Sequence, residues 1–265
     1  MERIRIMITA GCDLGSRTAK AVIMENSTIL ASAVIPARLN PVESAEEVIN
    51  LCLEKAELSM NSIKAIVGTG YGQQQIPFAT RLESEIVCHG KGAFFHYPSA
   101  RTIVDIGGQD SKIIKLDEKG NVIQYSYNDK CAAGTGRFLE IMADALGFDL
   151  EDIGEAGRTC VERLSISNQC VIFAETEVVS LINEEKEPGD ILNALFRAMA
   201  DRVCSQARGL LIEYDVIMTG GVAKNTGVFE ALGQSMGVSL KTITDMDPQL
   251  NGAMGAALIA GQISS

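Results

Sequence analysis

The sequence predicts an α/β protein built from two duplicated halves, and three observations predict it. The pattern Asp-x-Gly-x-x-x-x-Lys occurs first as Asp13-Leu14-Gly15-Ser16-Arg17-Thr18-Ala19-Lys20. It returns as Asp105-Ile106-Gly107-Gly108-Gln109-Asp110-Ser111-Lys112. Each copy follows a short apolar stretch and precedes another, Ala21-Val22-Ile23-Met24 or Ile113-Ile114, which reads as strand, Gly-rich turn, strand. The third observation is a late strand over 216–218 that runs into the loop Thr219-Gly220-Gly221-Val222-Ala223-Lys224-Asn225. Glycines at a strand end let backbone N–H groups approach a phosphate closely. A carboxylate at the strand tip can hold Mg2+ through water. Two such hairpins facing each other would clamp a nucleotide's phosphates from both sides.

The remaining elements follow from periodicity. Residues 4–36 read as strands around the first hairpin. Ala45, Val48, Ile49 and Cys52 recur at helical spacing over 43–57. A buried strand over 63–67 ends in the turn-rich Gly68-Thr69-Gly70-Tyr71-Gly72, and a helix is expected over 83–95. After the break at Pro98 comes the second copy, then a hairpin over 113–127 through the polar turn 117–121. Phe138, Ile141, Met142 and Ala145 mark a helix over 137–146, closed by Gly147. Amphipathic helices are predicted over 170–183 and 190–214, the latter opened by Pro188-Gly189-Asp190. A small-residue helix over 250–261 (Ala253, Gly255, Ala256, Ala257) is suited to tight packing between lobes.

Composition bounds the function. The 265 residues are 46 % hydrophobic, enough for a core and two lobes, with 25 glycines and no Trp. A net charge of −11 argues against nucleic acid or anionic membranes as partners. The N-terminal Met1-Glu2-Arg3-Ile4-Arg5 runs into Asp13 too soon for a signal peptide, and no apolar run approaches the length of a membrane helix. The expectation is a cytoplasmic protein with no nucleic-acid or membrane partner. Seven cysteines, at 12, 52, 88, 131, 160, 170 and 204, are an odd number that argues against a disulfide framework and leaves thiols for metal or redox chemistry.

Two cysteines stand out. Cys131 lies in Asn128-Asp129-Lys130-Cys131-Ala132-Ala133-Gly134-Thr135-Gly136-Arg137-Phe138 and Cys170 in Ser167-Asn168-Gln169-Cys170-Val171-Ile172-Phe173-Ala174-Glu175. Both stand at expected helix starts, where the partial positive charge favours a thiolate or an anionic cluster. Two thiolates are too few for a cubane, and a twofold dimer would supply four. Buried packing and a zinc site are the other readings of these residues, the latter without a C-x-x-C pairing to support it. Cys88-His89 invites a metal reading, against which a packing role is favoured. Glu175 and Glu177 fit either a nucleotide-sensing role or a solvated helix face.

The two hairpins and the 219–225 loop together resemble the actin/Hsp70/sugar-kinase ATPase superfamily, whose phosphate-1, phosphate-2 and adenosine motifs come in this order. The resemblance implies an actin-like ATPase fold, with two ribonuclease-H-like lobes around a nucleotide cleft. The lobes would comprise residues 1–98 with 246–265, and residues 99–245. It also implies that Asp13 and Asp105 sit near Mg2+. Gly15, Ser16, Arg17, Thr18, Lys20, Gly107 and Gly108 would meet the phosphates, and Gly220, Gly221, Val222 and Asn225 the adenosine end. Gln109 or Asp110 would orient the attacking water, and Gly134, Thr135 and Gly136 would add cofactor-binding positions.

Five stretches narrow the resemblance: 68–72, 104–110, 128–138, 170–177 and 219–225. Their wording is similar to the activator ATPases of 2-hydroxyacyl-CoA dehydratases and to the wider BadF/BadG/BcrA/BcrD-type family, which includes benzoyl-CoA reductase ATPase subunits. That family implies a homodimer with one [4Fe-4S] cluster at its interface, with Cys131 and Cys170 at the ligand positions. It implies ATP or ADP and Mg2+ as cofactors, and ATP-driven transfer of one electron to a client. The client would be a 2-hydroxyacyl-CoA dehydratase, an aromatic-CoA reductase or a double-cubane cluster protein. Ferredoxin or flavodoxin would be the donor, in an anaerobic cell. Asn168-Gln169, Cys12 and Arg17 depart from the pattern and point to a subgroup with a different client. A small-molecule kinase of the same superfamily, of sugar or pantothenate type with Asp110 as base, is the alternative.

Overall fold

The computed structural model describes residues 7–167 and 169–263. The N-terminal residues 1–6, including the start of the 4–36 strand stretch, and Asn168 of the Cys170 motif lie outside the described residues. The chain divides into two units, one of residues 1–100, 116–123 and 243–265, the other of residues 101–115 and 124–242.

The first unit begins with strands β1 (Ile8–Leu14), β2 (Thr18–Glu25) and β3 (Thr28–Pro36), followed by helix α1 (Pro41–Ala56). Strand β4 (Ala65–Thr69), the two-residue β5 (Arg81–Leu82) and helix α2 (Glu85–His96) complete its N-terminal part. Asn40 caps α1 by accepting from the Val42 N–H at 3.1 Å, and Pro41 sits in the first turn, where its missing N–H costs nothing. Ala45, Val48, Ile49 and Cys52 are the buried face of α1, as the spacing predicted. The strand read at 63–67 lies two residues later, because Ile63 closes a short 3-10 turn over Met60–Ser62.

The second unit is built on β6 (Thr102–Ile106), all but the last residue of β7 (Ser111–Leu116), all but the first two residues of β8 (Val122–Asn128), helices α3 (Gly136–Leu146) and α4 (Ile153–Ala156), and long helices α5 (Val171–Asn183) and α6 (Pro188–Gln206). Strand β9 (Val216–Thr219), helix α7 (Thr226–Met236) and strand β10 (Leu240–Thr242) follow. Gly147 closes α3 in the left-handed region at φ 73°. Helix α6 stops at Gln206 rather than continuing to 214. Gly209 turns left-handed at φ 94°, and Leu211 and Tyr214 are solvent-exposed, so they do not extend the buried stripe that the periodicity assumed.

The chain ends its described part in α8 (Asn251–Ile263), which belongs to the first unit. A Cβ on Gly11 of β1 would lie 2.0 Å from the Ala253 carbonyl oxygen, and one on Gly255 would lie 1.8 Å from the Cys88 carbonyl oxygen. Only glycine lets α8 lie this close to β1 and α2. The small-residue helix therefore packs on the first unit's own sheet, against Val22, Met24, Ala65 and Val67.

The two sheets repeat one another. Their strand orders are β3-β2-β1-β4-β5 and β8-β7-β6-β9-β10. In each, the central strand pairs antiparallel with its hairpin partner and parallel with the strand on its other side. The duplication read from two octapeptides thus extends to the whole strand order.

Candidate nucleotide-binding hairpins and cysteine pair

In the first unit, Asp13 and Lys20 are direct cross-strand partners of the β1–β2 hairpin. Cross-strand residues point to the same face, and Lys20 Nζ lies 3.3 Å from Asp13 Oδ2. Asp13 is 5 % exposed, so the lysine offsets a buried carboxylate. The turn is closed by Gly15 N–H donating to the Thr18 carbonyl at 3.1 Å, which leaves Ser16 and Arg17 exposed at its tip. The 68–72 loop backs this hairpin. Gly72 N–H donates to the Leu14 carbonyl at 2.8 Å, and a Cβ on the left-handed Gly70 would lie 2.3 Å from Asp13 Oδ1. Tyr71 is exposed.

The second hairpin repeats the arrangement with additions. Asp105 and Lys112 are cross-strand partners, and Lys112 Nζ lies 3.4 Å from Asp105 Oδ2 and 2.9 Å from Asp110 Oδ2. The ammonium also sits 5.6 Å over the Tyr127 ring. Thr219, the last residue of β9, donates its hydroxyl to Asp105 Oδ1 at 2.8 Å. Asp110 accepts a further contact from the Tyr127 hydroxyl at 3.4 Å. Gln109, by contrast, stands exposed at the turn. Lys112 and Thr219 had no assigned role from sequence, although the repeated lysine of the octapeptide was the signal for the first.

The 128–138 stretch is tied to this second hairpin at both ends. Gly136 N–H donates to the Gly107 carbonyl at 2.8 Å and Arg137 N–H to the Gly108 carbonyl at 2.7 Å. At the other end, the Asn128 carboxamide donates to the Cys131 carbonyl at 2.9 Å and accepts from the Cys131 N–H at 3.1 Å. The same amide reaches Ser111 Oγ at 3.4 Å. Gly134 packs toward α6, and Thr135 is buried with its hydroxyl on the Ala132 carbonyl. Gly220 adopts φ 85° directly over Ile106, where a Cβ would lie 2.3 Å from the carbonyl oxygen. Gly221 and Val222 continue in a 3-10 turn, with the Val222 side chain in the core. Asn225 caps α7, its side-chain oxygen accepting from the Val228 N–H at 2.9 Å.

Cys170 is the N-cap residue of α5. Cys131 is not directly at a helix start: a 3-10 turn over Ala132–Gly134 intervenes, and α3 begins at Gly136. The Cys131 sulfur lies 3.8 Å from the carbonyl oxygen of Gln169, the residue before Cys170. Both cysteines are half-buried. Glu177 accepts from the Ser167 N–H at 2.6 Å and so anchors the segment leading into Cys170, a structural role for one of the two ambiguous glutamates. Burial pushes the Cys52 and Cys88 thiols up to about 12, the Cys204 thiol to about 11, and the Cys12 thiol further in the same direction. Among the described residues, no group of three or more His, Cys, Asp or Glu side chains gathers as a metal site, and no helix is long and apolar enough to cross a membrane.

This architecture is the actin-like ATPase fold. The (R)-2-hydroxyglutaryl-CoA dehydratase component A of Acidaminococcus fermentans superposes on it with a TM-score of 0.93 at 38 % identity, covering 97 % of this chain and 99 % of that one. The ADPNP-bound activator of the 2-hydroxyisocaproyl-CoA dehydratase from Clostridium difficile superposes with a TM-score of 0.92 at 38 % identity, covering 97 % and 96 %. The chain belongs to the BadF/BadG/BcrA/BcrD ATPase family, whose model matches residues 10–260. It is 42 % identical to the activator of lactoyl-CoA dehydratase of Anaerotignum propionicum, over 96 % of this chain and 97 % of the relative.

Proposed function

We propose that this chain is an ATP-dependent one-electron donor, a reductive activator of a 2-hydroxyacyl-CoA dehydratase or a related low-potential iron-sulfur enzyme. The observation that carries the reading is the double tether between the second hairpin and the Cys131 loop. Gly107 and Gly108 hold one end of that loop, and Asn128 links the other to Ser111, the neighbour of Lys112. A change in the hairpin on nucleotide binding therefore reaches Cys131 through hydrogen bonds of less than 3.5 Å, with no mobile linker between.

The residues fit the cofactors that this reading requires. Asp13 and Asp105 would hold Mg2+ through water, and the hairpin glycines would present N–H groups to ATP. Cys131 and Cys170 are half-buried and belong to neighbouring turns, as thiolates reaching outward must be. One chain falls short of the four ligands of a cubane, and a second copy would complete it. Ile172 and Phe173, 69 % and 63 % exposed beside Cys170, suit a surface covered by that copy. The [4Fe-4S] cluster, when bound, supplies a store for a single electron. Lys112 and Asn128 would keep the loop's geometry coupled to the nucleotide. The acceptor would be a dehydratase, an aromatic-CoA reductase or a double-cubane protein, the donor a ferredoxin or flavodoxin, and the setting the cytoplasm of an anaerobe.

The kinase alternative needs a free carboxylate as base. Asp110 is paired with the Lys112 ammonium and accepts from Tyr127, which weakens that reading. The test is iron and acid-labile sulfide on anaerobically purified protein of known oligomeric mass. Four of each per dimer support the activator. A colourless protein that resists reconstitution overturns it and turns attention to phosphate acceptors.

A further inference from the structure

The Cys88-His89 pair was not absorbed by the nucleotide or cluster chemistry, yet His89 is only 5 % exposed and stands close to the first hairpin. A Cβ built on Gly252, the second residue of α8, would lie 2.9 Å from Asp13 Oδ2 and 3.1 Å from His89 Nε2. The two atoms therefore lie no more than about 6 Å apart beside a glycine, a gap that one bridging water spans. The other ring nitrogen meets Asn251, whose Nδ2 lies 3.2 Å from His89 Nδ1 and 3.0 Å from the His89 carbonyl oxygen. That second contact fixes the amide: reversed, it would bring two oxygens together. Nδ2 is thus the donor to both, and Nδ1 must accept. The neutral ring then carries its proton on Nε2, the nitrogen on the Asp13 side.

The surroundings favour this single arrangement. Asn251 is fully buried, and the helix that carries it has no charged residue along its length. Lys20 approaches the same Asp13 oxygen from β2 at 3.3 Å, and Gly70 crowds the other oxygen. Glycine at 252 keeps a side chain from crowding both the carboxylate and the imidazole.

We propose that His89 is a positioning residue for Asp13: Asn251 sets its tautomer, and its Nε2–H, through one bridging water, fixes the orientation of the Asp13 carboxylate toward bound nucleotide. The inference rests on reading Asp13 as a nucleotide-site carboxylate. It deepens that reading by adding a buried Asn251–His89–Asp13 relay behind the first hairpin.

Two measurements test it on the full-length protein. The first is nitrogen NMR of histidine-labelled chain. It holds only two histidines, so His96→Gln assigns both. The expected spectrum has His89 protonated at Nε2 and bare at Nδ1; protonation at Nδ1 overturns the proposal. The second compares His89→Gln with His89→Asn in steady-state ATP hydrolysis. Gln extends its amide to the Nε2 position and Asn only to Nδ1. Gln should retain kcat within about threefold, whereas Asn should lower it about tenfold or more with KM for ATP and iron content unchanged. Equal effects of the two, or full activity of the Asn variant, overturn the proposal. Should neither fold, Gly252→Ala places a methyl group 2.9 Å from Asp13 Oδ2 and 3.1 Å from His89 Nε2, and an unchanged kcat there overturns it equally. A wild-type chain that neither binds nor hydrolyses ATP would instead remove the nucleotide reading itself, an outcome distinct from an active wild type with indifferent His89 variants.

Discussion

Lys112 is locked to Asp110, its ammonium 2.9 Å from Oδ2 with the lysine side chain 3 % exposed. A carboxylate held in this way is poorly placed to attract a proton from water, while Gln109 beside it is exposed and outside this ion pair. Gln109→Ala is therefore expected to lower kcat for ATP hydrolysis about 10- to 100-fold with nucleotide affinity little changed. Asp110→Asn should mainly reduce thermal stability, because it leaves the buried Lys112 with one fewer counter-charge. Phosphate release, ADP titration and melting curves separate the two. A larger kcat loss for Asp110→Asn would reverse the assignment.

Replacing Cys131 by Ser should abolish iron retention while nucleotide binding persists, since the hairpin contacts run through the backbone of residues 131, 136 and 137 rather than through the sulfur. Cys204→Ser serves as the control and should keep its iron. Visible absorbance and iron content read the first effect, nucleotide fluorescence the second. Full iron in the Cys131→Ser protein would refute the ligand assignment.

Asn128→Ala removes two hydrogen bonds to the Cys131 backbone and one to Ser111. The expected loss of stability is about 1–3 kcal/mol, and any nucleotide-dependent change in the visible or EPR spectrum should shrink or vanish. A variant that keeps that response in full would show that coupling runs elsewhere.

The thiols divide by accessibility. With Cys52 and Cys88 pushed up to about 12 and Cys12 raised further by burial, these three stay protonated throughout the neutral and mildly alkaline range. Because a thiol raised in this way ionises only as the pH climbs toward its shifted value, iodoacetamide at pH 8 should leave all three unmodified in the native protein. In iron-free protein, the exposed Cys160 and the half-buried Cys131 and Cys170 should react ahead of these three. Peptide mass mapping checks the order, and early modification of Cys12 would contradict the burial.

Gly11→Ala should destabilise the first unit by about 3 kcal/mol or more, since a methyl group cannot be placed 2.0 Å from the Ala253 oxygen without moving a helix. A melting temperature within a degree of wild type would show that α8 shifts freely.

Much of this was legible in the chain because the two hairpins depend on local chemistry. Asp-x-Gly followed by a lysine seven residues after the aspartate encodes both the turn and the cross-strand ion pair, and the structure has both registers. The buried face of α1 followed from spacing alone, as did Phe138 and Met142 of α3, whose buried face is completed by Leu139 and Ala143 while Ile141 and Ala145 are only partly buried. What was not legible depends on contacts distant in sequence. Thr219 reaches Asp105 across 114 positions, and Asn251 reaches His89 across 162. No local pattern marks either residue as polar and buried. The overshoot of α6 has the opposite cause: Leu211 and Tyr214 continue an apolar rhythm in a segment that the fold leaves in solvent. Helix α7 has no counterpart among the sequence expectations, and the Asn225 read as the end of a loop is its cap.

The discontinuity of the first unit has a consequence for biosynthesis. Its sheet is finished only when α8 settles on β1, and α8 comes after all of the second unit in the chain. As the polypeptide leaves the ribosome, the second unit has all its strands in hand while the first still lacks the helix that covers Gly11. The Asp13 hairpin, with Asn251 and Gly252 absent from its back, would be assembled last. A nascent chain would thus gain the packing of α8 against Gly11 and the Asn251–His89 contacts only after residues 251–263 have emerged.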